Sequence, residues 1–577
     1  MATPAVLPGV LAWASGELPA AVRTTLAGSA ETDAGAARVA YWGLRPVDGS
    51  STIVLSRVSR RATGAVPEHE VAELVAGDPG ALSRLLPPFA AQGLREDGVV
   101  VVADSMGFRQ LFHSDPAAGG PGVLSTSALL AGWTRGAEPD RVALAVQSLL
   151  GWQLGQRTLF EGVLKLAPGA TAHLGAEGVA VTPPDREPVD PLPFERAVAE
   201  AADLLRTSLA ALLDDEPDAV LQLTGGLDSR LLLSAIPASR RSGLHAMTLS
   251  VPGSGDVPIA REICASYGMV HEVHGLTDLG EIDPVEAWEL CRVAALRLDG
   301  MSDPVAYAAL GVAERAFDQG VRISGLGGEV ARGFYYVGRV RDRKYTRADA
   351  EQLASWRMFA NEAVEPGLLT EDFSAWARQA ANREVYAALR RGGDEWFRAT
   401  DSLYLRDRMQ RWAGATDTAV GYQRVVVNPM LDHEFLRICG RLTPQDKAHA
   451  RFLAALQLEL DPELGKRPLE GRASPAALAH PSVWDPVAQT LRTGRRFARK
   501  ALQVASRGNR PPAGGDVLAQ KVVERWRADP AIVDPLRRSD FVSDEWLDGM
   551  IAATVTPRPS SVGFLTNVIV AMEGAGR

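Results

Sequence analysis

The residues with the clearest chemical potential stand where a buried-strand pattern gives way to a helical one. The apolar run that begins at Ala219 ends in Thr224-Gly225-Gly226-Leu227-Asp228-Ser229, and helical spacing follows. An anion at such a corner meets backbone N–H groups and the positive end of a helix dipole. The paired glycines allow close approach, and Asp228 is a candidate Mg²⁺ ligand. The segment predicts a phosphate-binding loop, with an ordinary strand-turn-helix corner as the alternative.

Two common phosphate loops are excluded by the spacing of this segment. A Walker loop requires a lysine after its second glycine, and no lysine stands near Gly226; the Gly-x-Gly-x-x-Gly pattern of dinucleotide folds is also absent here. The segment resembles instead the Ser-Gly-Gly-x-Asp-Ser loop of ATP pyrophosphatases, with Thr224 in place of the first serine. That resemblance implies cleavage of ATP to AMP and pyrophosphate, with the pyrophosphate bound by the loop.

Length and composition indicate a multidomain globular enzyme. The chain has 577 residues, 46% hydrophobic and 23% charged, which suggests roughly two to four domains. Its net charge of -9, without a long basic stripe, disfavours general nucleic-acid binding. Three cysteines, with no Cys-x-x-Cys pair, exclude a disulfide framework and fit a reducing cytoplasm. No secretory signal or membrane span is expected, because the first basic residue is Arg23 and no apolar stretch is long enough.

A proline-rich stretch divides the chain. Residues 182–193 contain five prolines in twelve residues and read as an extended linker. We therefore expect a sheet-rich N-terminal domain over 1–181, a second domain over 194–478, and a helical C-terminal extension over 479–577. A basic cluster at Arg492–Lys500 is interpreted as a solvated helix face.

Short apolar runs between turn residues predict the strands. In the second domain they alternate with helical patterns such as Phe194–Leu213, so we expect a parallel sheet. Thr224, Ser250 and Ser324 each follow such a run and should lie at one edge, where ligands bind in these folds. The candidate strands are Thr52–Leu55, Gly98–Ala103, 219–223, His245–Ser250 and Val321–Ser324.

Further motifs extend the resemblance to the asparagine synthetase and β-lactam synthetase family. Residues 248–271 resemble its adenine-contacting strand and following helix, and Ser324–Tyr335 resembles its Ser-Gly-x-Gly-x-Asp-Glu signature. Asn428–Asp432 is similar to its Pro-Phe-Leu-Asp element. The resemblance implies an α/β chain whose synthetase domain has the parallel-sheet ATP-pyrophosphatase fold, which is adenine nucleotide alpha hydrolase-like.

The N-terminal part is similar to the glutamine amidotransferase domain of the same family, through residues 101–113, 155–163 and 166–169. This implies an Ntn-hydrolase-like fold. Members that use glutamine carry a nucleophilic cysteine after the initiator methionine, where this chain has Ala2. A methyl group cannot form a thioester, and no cysteine precedes Cys264, so we expect the glutaminase activity to be absent.

The family resemblance also implies a set of site residues. Asp228 and Glu329 would hold Mg²⁺, Ser229 and the loop amides would hold pyrophosphate, and Lys466 would stabilise the adenylate and the developing oxyanion, with an ordinary surface lysine as the equal alternative. Leu249 and Gly325 would border adenine. The residues expected to bind ATP are Thr224, Gly225, Gly226, Leu227, Asp228, Ser229, Leu249, Ser324 and Gly325.

The second signature departs from the family pattern. Glu329 replaces its aspartate and Val330 the glutamate that follows, while Leu326 fills a position at which other members carry glutamate or tyrosine. Leucine cannot move a proton, so any base must come from elsewhere in the protein or from the substrate. Arg230 and Arg332 are candidates for phosphate contact, although Arg230 equally suits a solvent-facing position.

These residues predict an ATP- and Mg²⁺-dependent ligase that adenylates a carboxylate and couples it to an amine. A lasso-peptide or β-lactam type of biosynthesis is expected, with small-molecule or peptide substrates, a precursor peptide and partner proteins as further candidates. The alternatives are ammonia-dependent asparagine synthesis, another pyrophosphatase chemistry such as nucleotide or tRNA modification, and a non-catalytic scaffold. Asp299, Asp303 and Tyr307 are expected near the substrate pocket.

Overall fold

The structure is a computed structural model that describes residues 6–14, 16–184, 190–250, 254–275, 277–315, 317, 320–336, 339–479 and 514–574. Residues 6–184 build two antiparallel sheets. The strands are β1 (Gly9–Trp13), β2 (Ala30–Ala34), β3 (Ala37–Trp42), β4 (Thr52–Val54), β5 (Arg60–Arg61), β6 (Gly64–Ala65), β7 (Ala90–Arg95), β8 (Gly98–Ala103), β9 (Phe112–Ser114), β10 (Val123–Ser125), β11 (Val163–Lys165), β12 (Thr171–Gly175) and β13 (Gly178–Thr182). The strand orders of the two sheets are β11-β9-β10-β1-β3-β2 and β13-β12-β8-β7-β4, and β5 and β6 form a separate pair.

Side-chain alternation stacks these two sheets between helices. In β8, Val99 and Val101 share a core with Val10 of β1, whereas Val100 and Val102 pack with the residues around helix Glu68–Gly77. This is the period of two that a strand buried on both faces requires. The opposite face of the first sheet packs on helix Ala128–Arg135. The layers therefore run helix, sheet, sheet, helix.

A second, fully parallel sheet follows the linker. Its strands are β14 (Val220–Gln222), β15 (His245–Ser250), β16 (Val270–Gly275), β17 (Arg322–Ile323) and β18 (Val426–Val427). Their order is β16-β15-β14-β17-β18, so the first strand in sequence is central and later strands add on both sides of it. Where the direction of strand addition reverses, the loops at the carboxyl ends diverge and leave a ligand crevice. Here that crevice lies between β14 and β17.

The predicted α/β fold class is confirmed in each described part: a sheet-rich N-terminal unit, a parallel sheet and a helical C-terminus. The predicted strands at Gly98–Ala103 and His245–Ser250 have those bounds in the structure. Helix Phe194–Asp215 covers the predicted helical segment and extends it by two residues. The domain boundaries stay predictions.

Helices cover the faces of the parallel sheet and fill the rest of the chain. Two π-helical segments, Ala354–Met358 and Tyr404–Ala413, interrupt the α-helical run. The α-helices are Ala20–Thr25, Glu68–Gly77, Ala128–Arg135, Arg141–Leu150, Phe194–Asp215, Leu227–Ala235, Asp256–Tyr267, Pro284–Arg297, Pro304–Glu314, Arg347–Leu353, Phe359–Glu362, Glu371–Arg391, Trp396–Leu403, Gly414–Gln423, His433–Arg441, Pro444–Lys447, Arg451–Leu460, Pro462–Gly465, Pro475–Ala479, Gly515–Ala528, Asp534–Arg537, Asp544–Ile551 and Pro559–Glu573. No helix among the described residues is long and apolar enough to cross a membrane.

The described C-terminal helices are part of a shared core. Trp526 is fully buried, and its ring lies 5.8 Å from the ring of Trp288 in helix Pro284–Arg297. The same apolar cluster includes Trp13 of the first sheet and Leu130 of the helix that covers it. Residues 514–574 therefore bind the N-terminal unit and the synthetase region together. The basic cluster at 492–500 lies outside the described residues.

Truncating Trp526 should test this role of the C-terminal helices. Trp526→Ala removes a fully buried ring from the shared core and should lower the free energy of unfolding by about 3–5 kcal/mol. Val517→Ala is the matched control, because Val517 is on the same helix but 38% exposed, and it should change stability by less than about 0.5 kcal/mol. Urea unfolding of the full chain measures both, and equal effects of the two substitutions would contradict the shared core.

Candidate active site

The phosphate-loop candidate lies at the carboxyl end of the central strand β14. Helix Leu227–Ala235 begins within this candidate loop, with Gly226 as the N-cap residue and Asp228 in the first turn. The first-turn N–H groups of a helix have no intrahelical acceptor and point toward whatever lies in front of the helix. The loop therefore presents amides at the ligand crevice, as the sequence predicts.

Side chains occupy the amides that precede this helix. The N–H of Thr224 donates to Ser229 Oγ at 3.1 Å, and the N–H of Gly226 donates to Thr224 Oγ1 at 3.1 Å. The N–H of Gly225 donates to Asp256 Oδ1 at 2.7 Å. A phosphate that binds these three amides must displace those oxygens, whereas the first-turn amides need no such exchange.

The loop after β17 approaches the first loop closely, and glycine makes the approach possible. A Cβ on Gly328 would lie 2.3 Å from Asp228 Oδ1, and one on Gly325 would lie 2.9 Å from the N atom of Ser229. Gly327 has φ +106, and a Cβ there would lie 2.9 Å from the carbonyl oxygen of Met430. The predicted signatures 224–229, 324–335 and 428–432 therefore meet at one point.

Two carboxylates share one arginine where the loops meet. The guanidinium of Arg332 lies 3.1 Å from Asp228 Oδ2 and 2.8 Å from Glu329 Oε1. Arg332 was a candidate for phosphate contact, and the structure places it between the two residues predicted to bind Mg²⁺. A guanidinium can compensate two nearby carboxylates through separate N–H groups.

The pKa of Asp228 is set by its burial and by the charged groups around it. Burial raises the pKa of Asp228 to about 7; Arg332 opposes the shift, Glu329 adds to it, and Arg472 opposes it. Its Oδ1 atom is buried without a hydrogen-bond partner. A buried carboxylate oxygen without a partner is costly unless a proton or a cation takes it.

The donor set fits Mg²⁺ bound together with a phosphorylated substrate. Mg²⁺ prefers oxygen ligands and is commonly held by one or two carboxylates, with waters and substrate phosphates completing the shell. Asp228 and Glu329 provide two carboxylates, and the free Oδ1 of Asp228 is one available ligand atom. Across the ranges that the structure describes, no group of three or more His, Cys, Asp or Glu could hold an ion without such a partner.

Residues 467–472 pass over the phosphate loop, a contact the sequence did not predict. The N–H of Glu470 donates to the carbonyl oxygen of Gly225 at 3.0 Å, and Glu470 Oε1 accepts from the N–H of Gly255 at 2.5 Å. Glu470 thereby ties the loop after β14 to the loop after β15. Arg472, two residues on, is the second cation, after Arg332, that favours the charged form of Asp228. The sequence offers no signal for this contact, because it joins residues more than 200 positions apart.

Arg230 anchors the same segment from below. Its guanidinium is fully buried and donates to the carbonyl oxygens of Arg467 at 2.8 Å and Pro468 at 2.9 Å. The solvent-facing alternative for Arg230 is therefore wrong, because burial excludes it. With two bonds committed to backbone, the side chain supports the loop rather than reaching for a phosphate.

Lys466, the predicted adenylate-stabilising residue, lies at the end of a short helix. Its side chain is 63% exposed and forms an ion pair with Glu463 at 2.5 Å. Its catalytic role stays a prediction. Lys447, a neighbouring lysine, is buried and pairs with Asp401 at 2.9 Å.

The predicted adenine-bordering residues lie beside the loops. Leu249 is in β15, next to the central strand, and is partly buried against Val220 and Met247. Ser324 follows β17 directly; its N–H donates to the carbonyl oxygen of Val427 at 2.9 Å. Leu326 is partly buried against the main core, and Val330 is buried. Ala2 lies outside the described residues.

Asp299 and Asp303 both accept hydrogen bonds within the protein. Asp299 is buried and accepts from Ser127 Oγ at 2.5 Å. Asp303 caps helix Pro304–Glu314 by accepting from the N–H groups of its first turn. Tyr307 is buried in the apolar core that the C-terminal helices share with the first sheet. The expectation that these three residues lie near the substrate pocket stays a prediction.

Known proteins support the family resemblance for part of the chain. Residues 200–453 match the family model described as asparagine synthase. No curated protein matches the chain. Two solved structures that match part of the chain are the glutamine phosphoribosylpyrophosphate amidotransferase from B. subtilis, complexed with ADP and GMP, and an allosteric regulatory enzyme of purine biosynthesis. The first is 12% identical with a TM-score of 0.20, over 46% of this chain and 65% of that one. The second is 11% identical with a TM-score of 0.19, over 47% of this chain and 60% of that one.

Adding one methyl group at Gly328 should disrupt the site without unfolding the protein. The Cβ of Gly328→Ala would displace Asp228, so Mg-ATP affinity measured by calorimetry should fall by about 10-fold or more. Gly440→Ala is the matched control, because a Cβ there meets nothing within 4 Å. Unchanged affinity in Gly328→Ala would show that Asp228 does not contribute to nucleotide binding.

Burial of Asp299 should make stability depend on pH. Burial raises its pKa from an ordinary 3.8 to about 7, so the folded chain keeps a proton that the unfolded chain has lost. Stability should therefore fall as pH rises through that window, by at most about 1.4 kcal/mol per pH unit from this group. Asp299→Asn removes the titration, so its unfolding free energy should fall less steeply between about pH 5 and about pH 7. Urea unfolding of both chains measures the slopes, and identical slopes would contradict the assignment.

Proposed function

We propose that the chain is an ATP-dependent, AMP-forming amide-bond ligase, which adenylates a carboxylate and couples it to an amine. The match of residues 200–453 to asparagine synthase supports the class of ATP-dependent, amide-forming ligases. The finer assignment rests on one observation. Two glycine-rich strand-end loops meet at the switch point of a parallel sheet, with Asp228 and Glu329 on one arginine between them.

Adenylation gives this arrangement a chemical purpose. A carboxylate is a poor electrophile, whereas a mixed anhydride with AMP carries a good leaving group. In the first step a carboxylate oxygen attacks the α-phosphorus of ATP, the bond to the β-phosphate oxygen breaks, and pyrophosphate leaves. In the second step an amine nitrogen attacks the acyl carbon, the bond to AMP breaks, and the amine releases a proton.

Each residue group has a defined part in the first step. Asp228 and Glu329 would hold Mg²⁺, which neutralises phosphate charge when bound. The amides at the start of helix Leu227–Ala235 would hold the departing pyrophosphate. Arg332 keeps the two carboxylates close together, and Arg472 adds positive charge beside Asp228.

The second step differs from family members that carry an acidic or phenolic group at position 326. Leu326 cannot accept the proton of the amine. The proton acceptor therefore belongs to another part of the site or to the substrate. With no cysteine before Cys264, the amine is proposed to come from a substrate rather than from glutamine. We assign the reaction to natural-product or peptide biosynthesis of the lasso or β-lactam type, with a precursor peptide as one candidate substrate.

Hydroxylamine trapping tests the proposed function without knowledge of the natural amine. Hydroxylamine converts acyl adenylates to hydroxamates, so the protein should form a hydroxamate, AMP and pyrophosphate from Mg-ATP and the correct carboxylate. Asp228→Ala should reduce this activity by about 100-fold or more, because it removes a proposed metal ligand. Asp203→Ala, which removes a side chain that is 79% exposed, is the matched control and should retain activity.

Two further measurements separate the alternatives. Formation of asparagine from aspartate and ammonium would replace the proposal with ammonia-dependent asparagine synthesis. If calorimetry detects no Mg-ATP binding to the full chain, the ligase proposal is overturned in favour of a scaffold.

A further inference from the structure

A π-helix connects the N-terminal sheet unit to the candidate active site. This segment, Tyr404–Ala413, directly continues helix Trp396–Leu403. π-Helical segments are rare and frequently mark functional sites. Two residues of the segment Tyr404–Ala413 form hydrogen bonds with the N-terminal unit. Its first residue packs against the loop that carries Glu329 and Arg332.

The contact with the N-terminal unit, called the grip below, consists of hydrogen bonds between the buried charged side chains of Asp407 and Arg411 and backbone groups of residues 155–157. Asp407 Oδ1 accepts from the N–H of Gly155 at 2.8 Å and from the guanidinium of Arg391 at 2.7 Å. Arg411 donates to the carbonyl oxygens of Gly155 and, at 2.6 Å, Arg157. Asp407 is 1% exposed and Arg411 is fully buried.

Burial makes the hydrogen bonds between the π-helix and residues 155–157 costly to break. A buried ion that loses its partners costs several kcal/mol, because neither water nor another group replaces them. If residues 155–157 moved away from the π-helix, the buried Arg411 would lose both of its backbone acceptors. Asp407 would lose the N–H of Gly155 and keep its ion pair with Arg391. Separating the N-terminal unit from the π-helix therefore breaks hydrogen bonds of a buried guanidinium and a buried carboxylate, which is costly.

The first residue of the π-helix transmits this position to the site. The ring of Tyr404 stacks on that of Phe334, with centroids 4.5 Å apart and planes at 24°. Tyr335 lies edge-on to Tyr404 at 6.1 Å. Phe334 stands two residues after Arg332, whose guanidinium joins Asp228 and Glu329. Displacement of Tyr404 would therefore release the end of the loop that carries both.

We propose that Asp407 and Arg411 are positioning residues, through which the N-terminal unit holds the loop of Glu329 and Arg332 in its binding geometry. The proposal rests on the proposed function only in its last step, the effect on Mg-ATP. Its structural step, from Gly155 to Phe334, is independent of any ligand. The N-terminal unit thus has a role in the site that requires no chemistry of its own.

Hydrogen–deuterium exchange of the full chain tests the structural step. Asp407→Asn keeps the shape of the side chain but removes its charge, and Arg411→Lys keeps a charge but loses one of the two backbone bonds. In both variants the amides of 324–336 should exchange about 3- to 10-fold faster than in the wild type. Arg157→Gln is the matched control, since only its backbone carbonyl joins the grip while its side chain pairs with Asp140. It should leave exchange in 324–336 unchanged.

Mg-ATP affinity, measured by calorimetry, tests the functional step. It should fall about 3- to 10-fold in Asp407→Asn at a temperature where circular dichroism matches the wild type, and Arg411→Lys should fall less. If the amides of 324–336 exchange at the wild-type rate in both variants, the proposal is overturned, even where exchange at 155–157 becomes faster. If the wild type binds no Mg-ATP, the proposed function fails while the exchange result still decides the positioning role.

The reciprocal measurement needs no variant. Because coupling between two sites acts in both directions, Mg-ATP should slow exchange in 404–413 and 155–157 of the wild type as well as in 224–229. Slowing that is confined to 224–229 and 324–336 would contradict the proposal.

Discussion

The close approach of two backbone loops is the constraint on which the rest of the site depends. Gly328 and Gly325 bring the loop after β17 so near to Asp228 and Ser229 that one methyl group on either glycine would clash. The parallel sheet brings these two loops side by side, because β14 and β17 are neighbours in it. The strand order thus determines which loops meet, and the glycines determine how closely.

That approach has an electrostatic cost which the surrounding residues offset. Two carboxylates lie within reach of one guanidinium, and burial raises the pKa of Asp228 to about 7. Arg332 and Arg472 lower the energy of the charged form, whereas burial and Glu329 raise it. The balance leaves Asp228 Oδ1 without a partner. A site in this condition gains free energy when a cation arrives, since the cation satisfies the free oxygen and removes the repulsion between the carboxylates.

The sequence predicts what local patterns encode. Strands with strong apolar runs, such as Gly98–Ala103 and His245–Ser250, have their predicted bounds, and the loops that follow the strands meet at the predicted edge. It could not predict contacts whose partners lie far apart in the chain. Glu470 contacts Gly225, and Arg230 is buried beneath residues 467–468, because the tertiary fold brings these distant segments together. Asp299 is a polar residue that the sequence places near a substrate pocket, yet it is buried and accepts a hydrogen bond from Ser127, 172 positions away.

Long-range burial also explains why the N-terminal sheet unit matters to a site it does not form. The phosphate loop is encoded by a local sequence pattern and secured by Asp256 and Glu470, whereas its partner loop ends in Phe334, whose ring stacks on Tyr404. Tyr404 begins a π-helix, and a π-helix is less stable than an α-helix unless tertiary contacts hold it. Here Asp407 and Arg411 supply those contacts from groups of the N-terminal unit. The geometry of Arg332 and Glu329 thus depends on residues 155–157, because separation would leave the buried Arg411 without its backbone acceptors.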